Sequence, residues 1–353
     1  MLHDDDLTAA VAEGVVTEAH AAALREFALK RARQRAAVEG PEEHFRFMRG
    51  FNDFFLAIGV VLLGSSMFYF LAESAVGGFV GAAITWALAE LLVGRMRLVL
   101  PGILLTCIFI IFVFEAVPID RWFGSSSLFG SAPPQTGLAP SAIAFGIAIR
   151  SLVAGGAALL FYARFRLPFA LLPIAASIVA AVVATVAALF DSPMALSIAL
   201  LCCGLMVFAV AMRFDMSDRD RVTRRSDCAF WLHLLAAPMI VHSLISLVTN
   251  SPFNMSTVIA ATIFAIVAVL TFVAITIDRR ALLVSTLAYL GGAIGYAITR
   301  MSINSQEVMF YTLAVLGLMV VALGVGWLPL RRLLLARLPM TLTSRLPTVP
   351  AKP

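Results

Sequence analysis

Residues 213–249 read RFDMSDRDRVTRRSDCAFWLHLLAAPMIVHSLISLVT. Five arginines crowd into a loop that runs without a break into an apolar segment. A membrane helix needs about 20 mostly apolar residues, and 229–249 supplies them. Lys and Arg collect on the cytoplasmic flank of such helices, so the loop also suggests an orientation. The segment itself carries Trp231, His233, Pro238 and His242, an unusual polar load for a spanning helix. One helix of this kind implies others, because polar groups at membrane depth need neighbours to satisfy them.

Composition agrees. The chain is 61% hydrophobic and only 13% charged, with a mean hydropathy of +0.96. Soluble domains carry about 25% charged residues, enough to cover their surface. This chain cannot, and its outer surface is expected to face lipid. The net charge of +5 is accounted for by basic loops and anionic headgroups and does not suggest nucleic acid. Cys107, Cys202, Cys203 and Cys228 sit in or beside apolar runs without zinc or disulfide spacing. They read as small buried hydrophobes.

Hydropathy gives ten spans: 53–72, 75–94, 98–118, 141–162, 168–190, 193–212, 229–249, 257–277, 282–299 and 309–328. The expected fold is all-α, a polytopic membrane helix bundle filling 53–328. A linker at 39–52 precedes it and a basic tail at 329–353 follows. Glycine- and alanine-rich stretches at 77–90 and 288–298 predict close helix packing. Arginines then test the count. They cluster before span one, between spans two and three, four and five, six and seven, eight and nine, and after ten. That alternation predicts both termini on the cytoplasmic side, and the membrane is read as a bacterial inner membrane. Arg-x-Arg-Leu and Arg-Arg turns recur at 95–98, 164–167 and 279–282, as duplicated hairpins or topology alone would produce. The long outer loop at 119–140 is rich in Ser, Gly and Pro and predicts irregular structure.

Residues 1–38 predict a cytoplasmic amphipathic helical hairpin. It turns at Gly14-Val15-Val16, and Thr17 caps the second helix. Residues 7–36 offer a face for a protein partner. The run LTAAVAEGVVTEAHAAALREFA (7–28) resembles the amino-terminal pattern of a family of uncharacterised bacterial polytopic membrane proteins. IDRRALLVSTLAYL (277–290) and SDCAFWLHLLAAP (226–238) are similar to segments of such proteins. The resemblance implies a multi-pass membrane fold and carries no activity, so no catalytic residue follows from it.

Charges at membrane depth nominate the sites. Arg150 lies nine residues into span four, about 13 Å below its boundary at 1.5 Å per residue. Glu115 lies three residues from the same boundary on span three, an offset of about 8 Å that two long side chains bridge. His242 falls near Arg150 in depth. Glu115, Arg150 and His242 are therefore expected to line an intramembrane polar pocket, or to form a structural pair. Glu90, Asp227, Trp231 and His233 predict an interfacial network or gate near the cytoplasmic boundary. Pro238 predicts a helix kink. Asp215, Asp218 and Asp220 alternate with arginines and read as a solvated charge cluster. Phosphate-loop, nucleophile-elbow and zinc-protease motifs are missing from the sequence, and no cofactor, metal or catalytic residue is assigned. The leading functional expectation is a transporter-like protein moving a small polar or amphipathic solute. The alternatives are a membrane scaffold or regulator, and an enzyme acting on a lipid-linked substrate.

Overall fold

In the computed structural model, described for residues 10–27, 51–71, 74–117, 140–218, 223–248, 256–280, 283, 286–300 and 305–339, each predicted span is a helix. They are α1 (Phe51–Leu71), α2 (Ala75–Ala89), α3 (Leu100–Ala116), α4 (Pro140–Phe165), α5 (Leu171–Leu189), α6 (Pro193–Ser217), α7 (Arg224–Val248), α8 (Thr257–Ile277), α9 (Thr286–Thr299) and α10 (Ser305–Leu335). A π-helical turn (Glu90–Arg95) continues α2, and a 3-10 turn (Pro168–Ala170) leads into α5. Among the described residues there is no strand. Among the described residues eight helical segments are also long and apolar enough to cross a membrane, and α3 is a shorter apolar helix. The protein is an all-α, polytopic membrane helix bundle.

Residues 10–27 belong to a unit separate from the bundle. They are helical to residue 12, turn through Gly14 at φ +71, and are helical again from residue 18. Thr17 Oγ1 accepts from the His20 N–H at 3.3 Å, capping the second helix. The linker at 39–50 and the outer loop at 119–139 lie outside the described residues.

Helix α7 is the hub of the bundle. Leu232 and Ala236 pack with Val179 of α5 and Val207 and Ala211 of α6. Ala237 meets Ala274 and Ile275 of α8 and Trp327 of α10. Val241 and Ile245 meet Ile263 of α8 and Leu290 and Ala293 of α9. A further core joins α1 to α4 through Met67, Ala82, Phe109, Phe112 and Phe161. Glycine sets the closest approach there. A Cβ on Gly78 would lie 2.7 Å from the Ala116 backbone, so α2 and α3 meet at a separation only glycine permits.

The two sets of turns are chemically distinct. Ser74, Ser192 and Ser256 cap the starts of α2, α6 and α8, each accepting a backbone N–H from the residue three positions on. At the opposite ends of α2, α4 and α8, three non-glycine residues take left-handed backbone angles: Arg97 (φ 56), Arg166 (φ 50) and Asp278 (φ 58). Several helices outrun their hydropathic limits at this end. Helix α6 continues from 212 to Ser217, α7 starts at Arg224 rather than 229, and α10 reaches Leu335, inside the predicted tail. The reason is chemical: the extra turns carry charged side chains whose partners lie inside the bundle.

Candidate functional site

Asp215 sits just beyond the apolar part of α6 and is only 3% exposed. Its carboxylate receives a fork from Arg279, which is 1% exposed. Nε donates to Oδ2 at 3.0 Å, and Nη2 donates to Oδ1. His233 of α7, fully buried, lies with Nε2 2.9 Å from the same Oδ2. An ionised carboxylate only accepts, so Nε2 is the donor. Arg279 Nη2 also donates to the Ser226 carbonyl and hydroxyl, both at 3.4 Å. Three helix ends, of α6, α7 and α8, thus close around one carboxylate.

The neighbouring residue builds a second pair. Asp278 takes the left-handed conformation that ends α8, its own N–H and that of Arg279 returning to the Ala274 carbonyl. Aspartate tolerates this region better than most side chains. The turn sends adjacent side chains to different helices. Asp278 Oδ1 accepts from Trp327 Nε1–H at 2.6 Å, and Oδ2 lies 3.4 Å from Arg331 Nη1, both partners belonging to α10. Arg331 is wholly buried, and Arg280 stands over the Trp327 ring at 5.3 Å. Two carboxylates and two guanidiniums sum to zero charge. Desolvating four ions is costly, several kcal/mol each by general estimate, and such pairs persist only with well-formed hydrogen bonds.

The sequence-nominated residues distribute differently. Glu115 and Arg150 are both buried on the contacting helices α3 and α4. Arg150 Nη2 donates to the Val117 carbonyl at 3.2 Å, and its guanidinium stands 5.7 Å from the Phe114 ring. Arg150 therefore reaches the end of α3 where Glu115 sits. His242 instead faces outward on α7, with Nδ1 2.5 Å from the Tyr289 hydroxyl of α9. The contacts described for it are with α9, not with Arg150. Glu90 and His233 also part company, since Glu90 Oε2 accepts from Arg164 Nη2 of α4 at 2.6 Å. Trp231 meets Phe169 edge-on at 4.8 Å, and Asp227 is half-buried in the first turn of α7. Helix α7 runs unbroken through Pro238, whose side chain is exposed, and Ser243 donates to the Met239 carbonyl one turn later.

The aspartate cluster departs most from expectation. Asp215 and Asp218 are buried, not solvated. Asp218 Oδ2 accepts from the Thr223 N–H at 2.9 Å and the Thr223 hydroxyl at 2.7 Å, closing the loop between α6 and α7. Asp215, Arg279, Asp278, Trp327 and Arg331 went unselected because each lies at a span's end, where charge is ordinary. One signal stood in the sequence: Asp278 follows directly on the apolar span ending at Ile277, and Asp215 comes three residues after the span ending at Met212.

Side-chain contacts also chain the basic turns together. Glu90–Arg164 links the α2–α3 turn to the α4–α5 turn. Phe169–Trp231 carries on to α7, Asp215–Arg279 to the end of α8, and Asp278–Arg331 to α10. These turns therefore share one end of the bundle. Among the described residues no group of His, Cys, Asp and Glu could hold a metal ion. No family model, curated protein or solved structure matches the chain.

Proposed function

We propose that this chain is a transporter-like protein of a bacterial inner membrane, with both termini cytoplasmic, and that its two buried ion pairs latch the cytoplasmic end of the bundle. The observation carrying this reading is the adjacency of Asp278 and Arg279. Two consecutive residues bind the α6–α7 hairpin on one side and α10 on the other. Buried ion pairs hold a bundle no better than apolar packing of equal volume. Their value lies in discreteness, because a formed pair and a hydrated, separated pair are two distinct states. Rearrangement between two such packings is the repertoire of alternating access. The orientation is supported by the arginines, which gather on every second turn. Glu115 and Arg150, buried near the opposite end of α3 and α4, supply polar chemistry for recognising a small polar or amphipathic solute.

The test is uptake by proteoliposomes across a panel of such solutes, beside thermal stabilisation of the purified protein. A solute that stabilises the protein should also be moved, and Arg150→Met should abolish both effects. Asp215→Asn should alter the transport rate more than solute affinity, since it acts on the latch. Failure of every solute to move, with full stability retained when the ion pairs are replaced by apolar residues, would leave a membrane scaffold. Reporter fusions after residues 165, 220 and 340 should read inside, and those after 130 and 253 outside.

A further inference from the structure

We propose that the turns 95–97 and 164–166 together form a docking site for the phosphate-bearing headgroup of an anionic lipid. Both turns join helices that run into the bundle's apolar layer, so they stand at headgroup depth. They adjoin each other: Glu90 accepts from Arg164, and a Cβ on Gly94 would lie 3.8 Å from the Phe165 ring. Arg95, Arg97, Arg164 and Arg166 are all exposed. Against the single carboxylate of Glu90 they leave a local charge of +3, four cations less one anion. Beneath them Trp86, Phe161 and Phe165 form an aromatic floor, with ring centroids 4.5–5.9 Å apart. Tryptophan and arginines at this depth are ordinary anchors of a headgroup layer, and the two phenylalanines pack against Trp86.

Orientation signals alone do not account for the backbone. A topogenic arginine works from any position of a turn. Yet Arg97 and Arg166 both occupy the left-handed region, where a Cβ is disfavoured and glycine would sit freely. The Glu90–Arg95 segment adds a π-turn, a feature that clusters at functional sites. Two strained, exposed arginines at the same place in hairpins joined by the Glu90–Arg164 pair point to a demand for positive charge at those positions.

The left-handed conformation supplies a substitution that spares the fold. Arg97→Gly with Arg166→Gly removes two charges and relieves both turns, so thermal stability should hold or rise. Native mass spectrometry of the protein in nonionic micelles, with phosphatidylglycerol against phosphatidylcholine of identical acyl chains, reads the site. The unmodified protein should retain phosphatidylglycerol selectively. Each arginine near an anionic surface is worth about fivefold in association, so the double variant should lose about thirtyfold. Arg224→Gln with Arg225→Gln, the same charge removed from another turn, should lose less than about threefold, since those side chains lie outside the site. Equal losses in the two double variants would mean diffuse electrostatics and overturn the proposal, as would unchanged selectivity. Displacement of the lipid by millimolar inorganic phosphate would overturn it in favour of a free-anion site. Should the glycine variant not fold, Arg97→Asn with Arg166→Asn serves, because asparagine also accepts the left-handed region.

Discussion

Replacing Asp215 by leucine leaves Arg279 and His233 facing an apolar side chain in a site sealed from water. The carboxylate accepts the two arms of the guanidinium and the imidazole N–H, and both its partners are essentially unexposed. Loss of one member of a buried pair costs about 3–5 kcal/mol, most of it from the stranded charge. An average interhelical hydrogen bond in a bilayer contributes about 0.6 kcal/mol. The two magnitudes are far enough apart for one experiment to decide which description applies. Unfolding in mixed micelles of rising dodecyl sulfate fraction, followed by helicity, gives the free-energy difference. Asp215→Leu should lower stability by about 3–5 kcal/mol, a shift of some hundreds- to thousands-fold in the unfolding equilibrium. Arg279→Met should cost a similar amount, because it strands the carboxylate. The double variant should recover most of the loss, to within about 1–2 kcal/mol of the parent, since the pair is replaced by packing of similar volume. A cost below about 1 kcal/mol for the single variants would refute the sealed, charged description. So would a double variant whose cost equals the sum of the two singles.

Trp327→Phe keeps an aromatic ring, though a smaller one, and deletes the N–H that Asp278 accepts at 2.6 Å. It should cost about 1.5–3 kcal/mol in the same micelle titration, the range for a hydrogen bond to a charged group. Gly78→Ala should destabilise by about 1–3 kcal/mol through overpacking against the Ala116 backbone, whereas Gly317→Ala on α10, where an added Cβ meets nothing within 4 Å, should be neutral. The two melting curves, run side by side, check both. Glu90→Gln should change stability by less than about 1 kcal/mol at physiological salt, because its partner Arg164 is 54% exposed and solvent screens the pair.

How much of this was legible in the sequence depends on which force dominates each element. The helices were, and eight of those described are long and apolar enough to cross a membrane, since such a helix has to be apolar along its length whatever its neighbours do. Residues 229–249 and 257–277 needed no tertiary information to be read, and the latter coincides with α8. The Thr17 cap was legible for the same reason: its hydroxyl bonds within its own turn. The latch was not. Asp215 and Arg279 stand 64 positions apart, and each resembles the loop charges that surround it. Only the tertiary packing that carries α6 past residue 212 distinguishes Asp215 from a solvated acid. His242 shows the converse. Position along a span suggests a depth but does not say which way a side chain points, and α7 turns it toward Tyr289.

Helix α10 touches the rest of the bundle sparingly, with Trp327 and Arg331 the only described side chains it buries. During biosynthesis this has a consequence in time. Asp215, His233 and Arg279 have all emerged once α8 is made, so the first pair can close early. Asp278 emerges with them, but Arg331 follows about 50 residues later, about 3–10 s at common elongation speeds. Until then an aspartate designed to be dry stands hydrated at the edge of an otherwise assembled bundle. Helix α10 is thus the element that seals Asp278: a chain clipped before Trp327 keeps an open charged notch at the end of α8.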